Sequence, residues 1–280
     1  MPELPEVESL RLRLEKVLLG QKIKNVTILN SKIISGKGTK RESSKIKEIE
    51  FVENTKNKKI ISVTRRAKNI IFTLDDDSVI VIHLKMTGQL LYNEKQNKHT
   101  YVIFDFGKNF LCYNDVRKFG YVLYFKSLNE ASKCGHFKNI GAEPFDKNFT
   151  LDYFNKNILK KNKKIKTVLL EQSIVVGCGN IYADEICFAS KVLPGRNCKT
   201  LTETEIKSLY QNIKSILRSA IKSGGSSVSD YLLPDGTKGN YASSHKVYGK
   251  SNTPCHLCGN ILEKSTISGR STVYCNTCQK

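Results

Sequence analysis

Apolar residues near the start of the chain recur at helical spacing. Val7, Leu10, Leu14, Val17 and Leu18 share one face, Pro2 and Pro5 lie in or before the first turn, and Gly20 closes the segment. The spacing predicts a leading helix. From about residue 21 to 126 the pattern shifts to alternation and short apolar runs. The runs 22–28, 60–63, 70–74, 79–84, 101–106, 110–113 and 121–125 predict strands, with Asp75-Asp76-Asp77-Ser78 as a hairpin connection. Regularly spaced short strands predict a β-sandwich or barrel-like domain.

The pattern is lost around Lys126 to Glu143, and Gly141-Ala142-Glu143-Pro144 reads as a linker. Helical periodicity follows over about 150–161, 164–172, 180–190 and 202–222. The last of these aligns Ile206, Leu209, Ile213, Ile216, Leu217 and Ile221, with Thr202 and Glu205 as a capping box. Gly224-Gly225-Ser226-Ser227 ends it and opens a polar loop through about residue 244, of the kind that often serves as a functional lid. The terminal segment holds Cys255-His-Leu-Cys258, sixteen residues, then Cys275-Asn-Thr-Cys278. Two such knuckles complete a tetrahedral thiolate site, so one structural zinc is expected on Cys255, Cys258, Cys275 and Cys278. Ile261-Leu262 and Thr272-Val273-Tyr274 are expected as two short strands, with Ser268-Gly269-Arg270 as their turn. The boundaries expected are 1–130 for the helix and sandwich, 131–149 for a linker, 150–244 for the helical part and 245–280 for the zinc module.

Composition narrows the function. The 280 residues suit about two domains, and no apolar stretch approaches the about eighteen residues of a membrane span. The start, Met1-Pro2-Glu3-Leu4-Pro5-Glu6, lacks the basic and apolar regions of a secretory signal, so a cytoplasmic protein with reduced cysteines is expected. Forty-six Lys and Arg against 26 Asp and Glu give a net charge of +20. Such an excess attracts phosphate backbones, which makes nucleic acid the leading partner class and an anionic membrane a distant second.

Pro2 is open to two readings. As a helix-starting proline it needs no function. As the first residue after removal of Met1 it is a secondary amine, which can attack a sugar carbon and pass into an iminium that stays charged without a proton. The opening MPELPEVE resembles that of the formamidopyrimidine-DNA glycosylases, which excise 8-oxoguanine and ring-opened purines. The resemblance continues through Arg65-Arg66-Ala67-Lys68, His83-Leu84-Lys85-Met86-Thr87-Gly88, Asp115-Val116-Arg117-Lys118-Phe119-Gly120, Gly177-Cys178-Gly179-Asn180-Ile181-Tyr182-Ala183, Val247-Tyr248-Gly249 and the zinc module. It implies an α+β architecture: a leading helix with an N-terminal β-sandwich, then a helix-two-turns-helix domain with a β-hairpin zinc finger. It further implies a monomer acting at the bacterial nucleoid on damaged double-stranded DNA, by base flipping, excision and β,δ-elimination.

Carried over residue by residue, the resemblance assigns Pro2 as Schiff-base nucleophile, Glu3 as proton donor, and Lys68 and Arg270 as partners of the reacting strand's phosphates. Met86, Arg117 and Phe119 take the wedge positions that refill the stack and face the orphaned base. Glu6, His99, Lys166, Asn180 and Tyr248 complete the substrate and DNA contacts. Ordinary readings stand beside these: Lys68 as a solvated lysine, Met86 and Phe119 as core, Asn180 as an N-cap, Arg270 as a bare turn residue. Val116 and Lys118 depart from the family's common Asp-Pro-Arg-Arg-Phe-Gly, while Arg117 and Phe119 keep the wedge. Two rivals remain: an endonuclease-VIII-like enzyme for oxidised pyrimidines, disfavoured by Glu3-Leu4-Pro5-Glu6 and the long 223–244 segment, and a non-catalytic DNA-binding protein on the same scaffold, disfavoured by intact Pro2, Glu3 and Lys68.

Overall fold

The computed structural model describes residues 1–35, 41–135 and 137–280. The chain divides into two compact units, Met1–Lys138 with Ile221–Asn240, and Asn139–Ala220 with Tyr241–Lys280. The loop opened by Gly224-Gly225 thus belongs, up to Asn240, to the first unit.

In the first unit helix α1 (Leu4–Leu18) and two antiparallel four-stranded sheets share one core. One has the order β1 (Asn25–Ile28), β6 (Thr100–Asp105), β7 (Phe110–Asp115), β5 (Gly88–Tyr92). The other has the order β2 (Ile60–Arg66), β3 (Asn69–Leu74), β4 (Val79–His83), β8 (Tyr121–Phe125). Alternation explains the packing. Ile70, Phe72, Leu74, Ile80 and Ile82 point into a core shared with Val102, Phe104, Leu111 and the apolar face of α1. Their neighbours Ile71, Val79 and Val81 point outward, sharing that face with Tyr121, Leu123 and Phe125 of β8 and packing with Ala131, Cys134 and Phe137. Two covered faces account for unbroken apolar runs on the central strands. The predicted hairpin at 75–78 is present, with Asp77 at φ 65.

Two elements escape the alternation pattern. Helix α2 (Lys45–Thr55) sits inside the segment expected to be all strand, and it buries only Phe51 and Thr55 while leaving Ile46 and Ile49 exposed. Strand β5 was not predicted either. A third short helix, α3 (Leu128–Lys133), is capped by Ser127 where the sequence pattern fades.

The second unit packs α4 (Leu151–Leu159), α5 (Ile165–Leu170), α6 (Asn180–Ala189) and α7 (Glu203–Lys222) around one core that includes Phe154, Val168, Tyr182, Ile186, Leu209 and Ile213. The expected capping box holds: Glu205 Oε2 accepts from Thr202 N–H at 2.8 Å and Thr202 Oγ1 from Glu205 N–H at 3.3 Å. The terminal hairpin is β9 (Glu263–Ile267) and β10 (Arg270–Tyr274). The first strand therefore starts after Ile261-Leu262, which form only an isolated bridge region with Pro254. Arg270 opens β10 instead of lying in the turn, because Ser268 and Gly269, both at positive φ, make the two-residue turn themselves.

Candidate functional site

The start of α1 is sealed in carboxylates. Pro2 is buried, and Glu3 and Glu6 are 3% and 1% exposed. Glu3 is the N-cap and forms a capping box with Glu6, whose Oε2 accepts from Glu3 N–H at 2.8 Å. Glu6 Oε1 accepts from Ser226 N–H at 2.7 Å. Glu6 thus accepts from a backbone donor on each oxygen and braces the chain terminus. Gly225 explains how the loop gets so near: it has φ 81, and a Cβ there would sit 2.9 Å from Glu6 Oε1. Tyr231 locks the same contact, donating to the carbonyls of Glu6 at 2.9 Å and Gly224 at 3.2 Å. Burial, and then the Glu6 carboxylate, push its phenol well above the ordinary range.

Lys68 lies as expected at the end of a strand, in the turn between β2 and β3, and is 6% exposed. The turn is positioned from α1. Glu8 Oε2 accepts from Arg65 Nε at 2.9 Å, and Arg65 Nη1 donates to the Ala67 carbonyl at 2.8 Å. Burial works against the Glu8 carboxylate, but Arg11 and Arg65 hold its pKa below the usual value. Nearby, Lys85 is lowered by burial and then by the charges of Arg41 and Lys68, the mark of a cation cluster without enough local anion.

The three wedge residues come together. Met86, in the β4–β5 turn, is 41% exposed and Phe119, in the β7–β8 loop, 47%. Arg117 Nη1 lies 3.1 Å from Met86 Sδ, and its guanidinium stacks 4.6 Å from the Phe119 ring centroid. Exposed apolar groups gathered around a guanidinium set aside the core reading for Met86 and Phe119. His99 is half-buried and adjoins this region, its carbonyl accepting from Asp115 N–H at 3.0 Å.

In the second unit Lys166, expected at the DNA backbone, lies in the interior. Lys166 is 0% exposed: Nζ pairs with Asp184 Oδ1 at 2.6 Å and donates to the Ser271 carbonyl and Thr272 Oγ1, each at 2.8 Å. Its charge is engaged inside the protein, where it anchors β10 to the helices. Asn180 is the first residue of α6, whose N-cap is Gly179, and its Nδ2 joins Lys166 in donating to the Ser271 carbonyl, at 3.0 Å. Arg270, one residue before this anchor, is exposed. Tyr248 N–H donates to Glu185 Oε1 at 2.8 Å, with Lys246 and Val247 N–H converging on the same buried carboxylate. Asp184, Glu185, Tyr231 and Arg41 were not singled out from the sequence; buried carboxylates that collect backbone donors carry no spacing signal.

The four cysteine Sγ atoms lie within 4.8 Å of one another, with Cys258 to Cys275 at 3.5 Å and Cys255 to Cys278 at 3.9 Å. Zinc with sulfur ligands at about 2.3 Å in a tetrahedron demands edges of about 3.8 Å, so the donor set fits one structural zinc. Phe188, Val247, Leu262 and Val273 form an apolar cluster with Cys255 and Cys275, and Cys278 packs against it.

Three family models match in succession: the formamidopyrimidine-DNA glycosylase N-terminal domain over residues 1–122, the H2TH domain of the same enzymes over 140–231, and the zinc finger found in FPG and IleRS over 253–280. The formamidopyrimidine-DNA glycosylase of Bacillus cereus is 39% identical over 283 aligned residues, covering 100% of this chain and 99% of its own. That of Listeria monocytogenes is 39% identical with full coverage of both. Among solved structures, Lactococcus lactis Fpg in complex with abasic-site DNA superposes with a TM-score of 0.89 at 34% identity, covering 99% of each chain. The wild-type Lactococcus lactis enzyme with an N7-benzyl-Fapy-dG DNA gives 0.89 at 34%, covering both chains fully. With all three domains matched in order and identity sustained from end to end, the chain belongs to the formamidopyrimidine-DNA glycosylase family.

Proposed function

We propose that the protein excises oxidised purines, 8-oxoguanine and formamidopyrimidines, from duplex DNA and then cleaves the abasic site by β,δ-elimination, acting as a monomer in the bacterial cytoplasm. The observation that carries this reading is the chain terminus: Pro2 and Glu3 buried at the first turn of α1, clamped by Glu6, in a chain akin to these glycosylases throughout its length. Relatives solved with Fapy-dG and abasic DNA support the lesion class. No helix among the described residues is long and apolar enough to cross a membrane.

Once Met1 is removed, the Pro2 nitrogen is a secondary amine. It bonds to C1′ of the extruded nucleotide as the bond to the base breaks, and Glu3 serves as general acid and base beside it. Opening of the sugar ring leaves an iminium, which draws electrons from C2′. Loss of the C2′ proton then expels the 3′ phosphate, and a second elimination expels the 5′ phosphate. In this reading Lys68 pairs with a phosphate flanking the lesion, and Arg270 and Asn180 grip the strand from the second unit, with His99 and Tyr248 as further DNA contacts. Met86, Arg117 and Phe119 fill the vacated stack.

The test is borohydride trapping on duplexes carrying 8-oxoguanine, an oxidised pyrimidine or an abasic site, using the processed chain and one extended at its N-terminus. Trapping on 8-oxoguanine and abasic DNA by the processed chain only, with DNA binding kept by both, is the expected result. Robust trapping by protein whose N-terminus is verified as Met1 would move the nucleophile to a lysine, Lys68 first. Preference for the pyrimidine duplex favours the endonuclease-VIII-like reading, and no trapping with intact binding favours the non-catalytic one.

A further inference from the structure

The β7–β8 loop that carries Arg117 and Phe119 is held from two sides. From within, the buried Asp115 collects donors: Oδ1 accepts from Thr87 Oγ1–H at 2.5 Å and Arg117 N–H at 3.2 Å, and Oδ2 from Gly120 N–H at 2.7 Å. From without, a single guanidinium collects the acceptors. Arg41 Nη1 donates to the carbonyls of Lys118 at 3.0 Å and Gly120 at 2.6 Å, and Nη2 donates to that of Phe119 at 2.6 Å. Three consecutive carbonyls converge on one side only because Lys118 adopts a left-handed φ of 57, an unfavourable state for a residue with a side chain. The half-buried, planar guanidinium matches that convergence, and being always charged it makes strong bonds to carbonyl oxygen.

We infer that Arg41 is a positioning residue of the extrusion wedge: it fixes the backbone of residues 118–120, and through it the stance of Arg117 and Phe119 toward the base opposite the lesion. The inference rests on the base-flipping reading above. Arg117 N–H donates to Thr87 Oγ1 and Asp115 Oδ1, while its guanidinium is set by the Phe119 ring and Met86. The position of that ring follows from the Phe119 backbone. Without Arg41 the three carbonyls turn to water, Lys118 can leave its left-handed state, and the aromatic side chain loses its fixed origin. Lysine cannot substitute, since a compact, strongly hydrated ammonium does not offer the planar fork.

The experiment compares wild-type protein with Arg41→Ala, Arg41→Lys and Arg117→Ala. It reads thermal midpoint, extrusion followed by a fluorescent base beside an 8-oxoguanine, single-turnover excision opposite cytosine against adenine, and trapping on abasic duplex. Arg41→Ala is expected to keep the midpoint and most abasic trapping. Extrusion and cytosine preference should fall on the order of tenfold, the rate equivalent of one lost charge-assisted bond, with Arg41→Lys restoring little of either. If alanine at this position lowers the midpoint, Arg41→Gln, whose amide keeps one carbonyl bond, carries the same comparison. Unchanged extrusion and opposite-base preference in active protein would overturn the inference, as would full restoration by lysine. Equal weakening on damaged and undamaged duplex with a shallower salt dependence would also overturn it, making Arg41 a phosphate contact. Wild-type protein inert on every lesion would instead sink the glycosylase reading on which the inference stands.

Discussion

Lys166 and Asp184 form a buried ion pair whose titration sets a stability profile. Burial raises the Asp184 carboxyl to about 6, against the lowering charge of Lys166. A carboxyl with a raised folded-state pKa binds its proton more tightly folded than unfolded. Its contribution is therefore full below about pH 4, the unfolded value, and is lost as pH rises through about 6. The two-unit difference amounts to roughly 3 kcal/mol at most. Relative to Asp184→Asn, wild-type protein should lose stability between these limits and run parallel above them, measured by urea midpoints across that range. Parallel profiles throughout would show Asp184 to be ionised at an ordinary pKa. The pair also marks what sequence could not tell. Lys166 looks like any of the many surface lysines, and only the fold brings Asp184 and the Ser271 carbonyl around it. The four cysteines were legible because their chemistry depends on spacing, which a sequence records directly, whereas the roles expected of Pro2 and Glu3 came from the family resemblance and not from their position alone.

At the scale of elements, the terminal hairpin has two fastenings. Thiolates hold its knuckles, while Lys166, Asn180 and Asp184 hold Ser271 to Val273 on β10. Cys258→Ser removes an exposed ligand from a site whose metal supplies about 10–16 kcal/mol in isolated fingers. The variant should lose zinc by elemental analysis, expose 253–267 to protease first, and bind every duplex more weakly. Chemistry on a lesion once bound should persist, because a four-thiolate site has no open position. Full DNA affinity in zinc-free protein would contradict this. Elements with strong periodicity were foreseen, among them α1, the central strands and α7. Helix α2 was not, because its exposed face carries Ile46 and Ile49 and its buried face only Phe51 and Thr55, the reverse of the amphipathic signal. Strand β5 escaped because Gly88 opens it: glycine weakens a strand signal, yet a Cβ there would meet the Leu84 carbonyl at 2.5 Å.

For the whole molecule, the net charge of +20 is the dominant long-range property. Affinity for duplex DNA should fall linearly on logarithmic axes with salt, with a slope of about −0.9 per neutralised phosphate and a loss of about 10³-fold or more between about 50 and 200 mM if six or more phosphates are engaged. A flat salt dependence would mean that the basic surface does not meet the backbone. The class of partner and the sandwich were readable from composition and pattern. The assignment of the loop after α7 was not, since its contacts to residues of α1 are made at distances along the chain that periodicity does not sample.

One of those contacts has a temporal side. Glu6 and Ser226 are joined by a 2.7 Å hydrogen bond across 220 positions. A chain growing from its N-terminus carries Glu6 without that donor until Ser226 has been made, and without the Tyr231 hydroxyl on its carbonyl until five residues later. Throughout that interval the first residues are not yet enclosed by the returning segment, which leaves a translational window in which Met1 can be trimmed before the terminus is sealed.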